Sequence, residues 1–212
     1  MECRTKRSTG RCIRPALKIG DRPTHIGNRE EVGHWEGDLI MGKGNKSAIV
    51  TLIERSSRFI IAFALRPGNR SDNMRDQLIE TLGSMPATLL GTLTWDRGSE
   101  MAKHAEVNAA LGVLVYFCDP ASPWQRASNE NANGLLRQYF RKGDDLSEVE
   151  PADVLFAAEE INSRPGPFWV GPPHLRSSRR ITPLLSHWIT PHERGMLLSQ
   201  REYRDRVQFG CP

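Results

Sequence analysis

The sequence predicts an α/β domain built on a mixed five-stranded sheet with helices on both sides. Two observations carry this. Three apolar, β-branched segments follow one another between residues 32 and 65 with only short turns between them, and from residue 71 the period changes to helix, strand, helix, strand and two more helices. The apolar runs are nearly continuous rather than cleanly alternating, which requires cover on both faces of the sheet.

The first strand is VGHWEGDLIMG (32–42), followed by a turn at GKGN (42–45), a second strand SAIVTLIE (47–54) and a third RFIIAFAL (58–65). SDNMRDQLIETLGSM (71–85) then places Met74, Leu78, Ile79 and Leu82 at helical spacing, with Ser71 or Asp72 as its cap and Pro86 beyond its end. LLGTLTW (89–95) is the fourth strand, SEMAKHAEVNAAL (99–111) a helix closed by Gly112, and VLVYFC (113–118) the fifth strand. After a loop, residues 128–140 form a helix and PADVLFAAEEIN (151–162) a last one, with Pro151 in its first turn. The organisation is a basic, extended lead-in over 1–27, a packed core over 28–165, and an irregular tail over 166–212 that is rich in Pro and Arg, with a short helix near 193–205.

A chain of 212 residues suffices for one such domain plus tails. Lys and Arg outnumber Asp and Glu by 29 to 25, a mild bias towards a polyanionic partner. No stretch approaches the roughly 20 apolar residues of a membrane helix, and the N-terminus lacks the apolar centre of a signal peptide, so the expected location is the cytoplasm. Cys3, Cys12, Cys118 and Cys211 form no CxxC pair and, with His25 and His34, no familiar zinc spacing, which predicts ordinary reduced thiols.

The chemistry lies in carboxylates. On a helix at about 100° per residue, with Glu130 at zero, Asn133 falls near 300° and Arg137 near 340°, while Ala132, Leu135, Leu136 and Tyr139 gather between about 140° and 240°. The helix therefore packs through its apolar residues and presents Glu130, Asn133 and Arg137 together, with Ser128 or Asn129 as its cap. Asp38 sits inside a strand, where Asp is unfavourable, and Asp96 directly follows another strand. The bland alternatives are a buried ion pair at Asp38, an Asp-Arg-Gly turn at Asp96 and a solvated helix face at Glu130. Converging at strand ends, the three acids need a cation, and oxygen-only ligands suit Mg²⁺ or Mn²⁺. Two such ions about 4 Å apart perform phosphoryl transfer. His34 and Glu36 share the strand face of Asp38 by alternation, either supporting the site or serving the packing.

The stretches GHWEGDLI, LTWDRGSEMAKH, VYFCDPASPWQR and NENANGLLRQYF resemble the catalytic core of insertion-sequence-30 family transposases and, more distantly, retroviral integrases. The resemblance runs from about Asp21 to Pro165, roughly two thirds of the chain. It implies a ribonuclease-H-like fold with an Asp-Asp-Glu triad whose second Asp and Glu stand 33 residues apart, as positions 97–129 separate Asp96 from Glu130. Asp38, Asp96 and Glu130 are thereby implied as catalytic metal ligands for Mg²⁺ or Mn²⁺, with two ions, and Arg137 as a DNA contact. Asn133 is placed to donate to phosphate, and Asn131, Gln125 and Trp124 take weaker DNA-binding roles. The implied partners are the DNA of element ends and target, in a synaptic complex of a homo-oligomer at the nucleoid.

The implied reaction is metal-dependent cleavage of DNA at element ends, followed by attack of the freed 3′-hydroxyl on target DNA. Its rivals are a ribonuclease-H-like nuclease that cuts without joining, and an inactive remnant that binds DNA or full-length transposase. Members of the family carry an N-terminal helix-turn-helix region, and none is legible before Asp21. After Arg164-Pro165 the family's Thr-Pro-x-Glu ending gives way to the Pro-rich tail. These departures lead to the expectation of a truncated, frameshifted copy, which the neighbouring reading frames of the gene would test.

Overall fold

The computed structural model describes residues 17–164, apart from positions 69, 84, 121, 123, 124 and 126. Trp124, the first sixteen residues and the tail with its expected short helix lie outside the described residues. In chain order the strands are β1 (Leu17–Lys18), β2 (His34–Met41), β3 (Ala48–Glu54), β4 (Ile60–Ala64), β5 (Thr92–Trp95) and β6 (Leu114–Phe117). The helices are α1 (Thr24–Gly27), α2 (Arg70–Leu82), α3 (His104–Leu111), α4 (Ala127–Leu136) and α5 (Pro151–Ser163).

The strands form one mixed sheet in the order β1-β6-β5-β2-β3-β4. β2, β3 and β4 pair antiparallel through short turns, while β5 joins β2 in parallel and β6 joins β5 in parallel, because helical crossovers precede both. The expected mixed α/β architecture therefore stands, with one strand more than the five anticipated. The sixth is β1, which pairs parallel with β6 inside the segment expected to be an extended lead-in. From residue 17 on, that segment carries β1 and α1, and Ile26 of α1 is only 4% exposed. A two-residue strand and a one-turn helix leave no periodic trace in the text, so a Gly-, Pro- and Arg-rich segment read as irregular.

Alternation sorts the strand residues onto two faces. Trp35, Val50, Leu52, Ile61, Leu93, Trp95, Val115 and Phe117 meet Met74, Leu78 and Leu82 of α2 and Val107 of α3 in one buried layer. Ile40, Ile49, Ile53, Ile60 and Ala62 meet Ala132 and Leu136 of α4 and Val154, Ala157, Ala158 and Ile161 of α5 in the other. Helices thus cover both faces, as the apolar runs required. Two helices are shorter than expected. Residues 99–111 split into a 3₁₀ turn at Ser99–Met101 and α3, which ends at Gly112 with a left-handed φ of 70°, and α4 stops at Leu136 rather than 140.

Candidate active site

The face that α4 and α5 cover is apolar over β3 and β4 but polar over β2 and β5. His34, Glu36 and Asp38 of β2 point there, opposite to Trp35, and Thr92 and Thr94 of β5 do the same, opposite to Leu93 and Trp95. The parallel register pairs Trp35 with Leu93 and Glu36 with Thr94. Two residues past the last of these pairs come Asp38, still within β2, and Asp96, directly after the end of β5. Both are half-buried. On its other side Asp38 pairs with Thr51 of β3.

The Asp38 carboxylate is held from two directions. Oδ1 accepts from the Leu39 amide at 2.9 Å, and Oδ2 accepts from Nδ2 of Asn133 on α4 at 3.0 Å. The Thr51 hydroxyl donates to Oδ1 of Asn133 at 3.0 Å, which sets which end of that amide faces the aspartate. Asn133 therefore ties α4 to β2 one helical turn after Glu130, whose exposed side chain lies in the first turn of α4. Oδ1 of Asp96 accepts from the Gly98 amide at 3.1 Å, so the Asp-Arg-Gly turn exists and orients the carboxylate. Glu100, unremarked in the sequence, is buried next to it and accepts from the Trp95 indole at 3.0 Å. Burial foremost, and then the charge of Asp96, push the Glu100 carboxyl above its ordinary range.

The remaining expected site residues scatter. Arg137 follows the end of α4 and turns its guanidinium to the carbonyls of Arg141 and Met41, both at 3.2 Å, so it fastens the helix end to β2. Gln125 exchanges hydrogen bonds with Asp119, at 2.9 Å from the Asp119 amide and 3.1 Å to its carboxylate. Asn131 is exposed. Glu36 is fully buried and paired with Arg55 at 2.7 Å, so it serves the interior rather than the carboxylates directly.

His34 makes contacts of 2.9 Å to the Thr92 hydroxyl and 3.4 Å to Glu31. Burial, outweighing the hydrogen bond to Glu31, lowers its pKa from 6.5. A base with a lowered folded pKa is bound to fewer protons in the folded chain than in the unfolded one. Stability is therefore full above about pH 6.5 and falls as pH drops from there towards the folded value. His34→Gln is expected to flatten this acid limb in urea denaturations between pH 7 and pH 5.

Asp38 and Asp96 offer the hard oxygen donors that divalent cations take. Among the described residues no three His, Cys, Asp or Glu side chains gather into a ready metal-binding group, so the three carboxylates do not form a preassembled centre. No described helix is long and apolar enough to cross a membrane.

A family model of the integrase core domain matches residues 28–123, a span that includes Asp38 and Asp96 and stops before Glu130. The transposase for insertion sequence element IS1086 of Cupriavidus metallidurans is 49% identical over 149 residues, which cover 70% of this chain and 44% of that protein. The transposase for element IS30C of Escherichia coli (strain K12) is 47% identical over 147 residues, covering 69% of this chain and 38% of that protein. A solved intasome of simian T-cell lymphotropic virus, in complex with a PP2A regulatory subunit, contains a chain 18% identical with a TM-score of 0.49, over 63% of this chain and 49% of that one. The chain spans less than half the length of the two transposases it matches.

Proposed function

The chain belongs to the insertion-sequence-30 family of transposases through its integrase core, and from that premise we propose that it cuts DNA at element ends and joins the freed ends to target DNA. The observation that supports this best is the bond from Asn133 to Asp38, which ties the helix of Glu130 to β2, the strand whose parallel partner β5 runs into Asp96.

Asp38, Asp96 and Glu130 would hold one or two Mg²⁺ or Mn²⁺ ions, which when bound supply an activated oxygen nucleophile and positive charge for the leaving oxygen. The rest falls to the chain's own groups. Asn133 and the Leu39 amide orient the Asp38 carboxylate, Thr51 orients Asn133, and the Gly98 amide orients Asp96, so two ligands are set before substrate arrives. Glu130 approaches from an exposed helix turn. On the DNA side we place Asn131 and Gln125, with Arg137 contributing the guanidinium edge that its carbonyl partners leave over. Joining two element ends to one target requires more than one copy of the site, in keeping with a homo-oligomer.

The test is the purified chain incubated with a duplex bearing an element end and a target plasmid, with Mg²⁺, with Mn²⁺ and with chelator. Nicked ends and joined products are expected with either metal and neither with chelator. Metal-dependent nicks without joined products would assign the chain to nucleases instead, and binding without any cleavage would leave it a DNA-binding remnant.

A further inference from the structure

Beside the carboxylates lies a cluster of arginines that this mechanism does not use. Arg55 is buried, with Nε on Glu36 at 2.7 Å and Nη1 on the Ile26 carbonyl at 2.6 Å. Around it stand three half-buried arginines from the segment before β2 and from the turn between β3 and β4. Arg22 donates to the hydroxyl of Thr94 at 3.2 Å. Arg58 donates to the hydroxyl of Ser128 in the first turn of α4. Arg29 has no side-chain partner among the described residues.

The fully buried carboxylates among these four guanidinium groups are Glu36, which Arg55 takes, and Glu54. Glu54 is occupied by the amides of Gly33 and Ser57. The positive charges act on one another: burial first, then the charge of Arg55, lowers the proton affinity of Arg22, and burial first, then Arg29, lowers that of Arg58. A part-buried surplus of like charge is costly unless an anion joins it. The backbone adds a second sign, since Arg29 and Arg58 hold left-handed φ values of 59° and 64°, a region that side chains other than glycine adopt rarely and mostly where function demands it. A third is Asn129, next to Ser128 and 1% exposed, whose amide oxygen and nitrogen both lack partners among the described residues.

The position gives the cluster its meaning. Thr94, which Arg22 grips, precedes Asp96 by two residues on the same strand face, and Ser128, which Arg58 grips, precedes Glu130 by two in the first turn of α4. We infer that Arg22, Arg29 and Arg58 form a cradle for a backbone phosphate of the DNA strand that runs to the carboxylates. The assignment rests on the proposed action on DNA. Guanidinium groups suit it because their forked donors match phosphate oxygens, and the N-terminal turn of α4 adds its own positive end. The strand would then be held at the arginines while a neighbouring phosphate lies at the acids, and the cradle would fix register without reading sequence.

The experiment is equilibrium binding of fluorescent duplex DNA to the full chain in chelator, titrated over a range of salt. Arg29→Gln is the cleanest variant, because its side chain holds no partner whose loss would disturb folding. It is expected to weaken binding about tenfold regardless of sequence and to lower the slope of log affinity against log salt by about one, with melting temperature unchanged or raised. Arg58→Gln should weaken binding likewise, and Arg58→Lys should recover most of the salt slope. A duplex with neutral methylphosphonates placed singly along the strand supplies the reciprocal half. One position should weaken the wild-type chain and leave Arg29→Gln unaffected. Unchanged affinity and slope in Arg29→Gln, or equal loss from every methylphosphonate in both proteins, would overturn the cradle. Because no metal or cleavage enters, an absence of metal-dependent nicking would defeat the proposed function and leave this result standing on its own.

Discussion

Asp38→Asn is expected to reduce metal-dependent cleavage on the order of 10³-fold, equivalent to about 4 kcal/mol of transition-state stabilisation, while leaving the fold intact. The substitution keeps shape and removes one negative charge. Its carbonyl oxygen can still accept from the Leu39 amide, and its new NH₂ group would face Nδ2 of Asn133. Asn133 relieves that clash by turning its amide over, and the Thr51 hydroxyl, which can accept as well as donate, rotates to suit. Denaturation midpoints should therefore move little. Mn²⁺ affinity, read by calorimetry or paramagnetic resonance on the chain alone, should fall together with cleavage, because a neutral amide is a poor ligand for a hard cation. Retention of full cleavage by the variant would remove Asp38 from the reaction; loss of cleavage with unaltered Mn²⁺ affinity would make it something other than a ligand.

What the sequence disclosed follows from what leaves a local signature. The apolar runs of residues 48–54 and 60–64 and the helical spacing of Met74, Leu78 and Leu82 are local, and they gave the sheet and its first long helix. The alternation that puts His34 and Glu36 on the strand face of Asp38 is also local, whereas the interval from Asp96 to Glu130 has meaning only through the family resemblance. The bond from Asn133 to Asp38 joins positions 95 residues apart, and nothing near Asn133 distinguishes an amide that supports a carboxylate from one that greets phosphate. The arginines were hidden for a different reason. A charged residue in a turn reads as solvated by default, and only the fold shows Arg55 4% exposed with Arg22, Arg29 and Arg58 about it. Arg137 stands just past the end of α4, and its guanidinium takes the carbonyls of Arg141 and of Met41 in β2, partners that nothing in the local text announces.

The same reasoning makes Gly37, between Glu36 and Asp38, a position where one added carbon should be felt at the site. A Cβ built there would lie 1.7 Å from Cζ3 and 2.0 Å from Cε3 of Trp95, far inside contact distance. The indole has no room to retreat, since it is fully buried and its Nε1 donates to Glu100. Gly37→Ala must therefore spread β2 from β5 or expel the ring, at a cost of about 3 kcal/mol, the upper range for overpacking, which lowers Tm by roughly 6–12 °C. Either response displaces Asp96, the residue after Trp95, relative to Asp38, so cleavage should fall further than the loss of folded protein accounts for. The double variant Gly37→Ala with Trp95→Leu separates the causes. If the clash is the cause, the smaller side chain restores part of the stability lost, and the two substitutions are strongly non-additive. Simple additivity, or a Gly37→Ala chain that melts and cleaves like the wild type, would mean that the close packing of β2 on Trp95 does not set the spacing of the two aspartates.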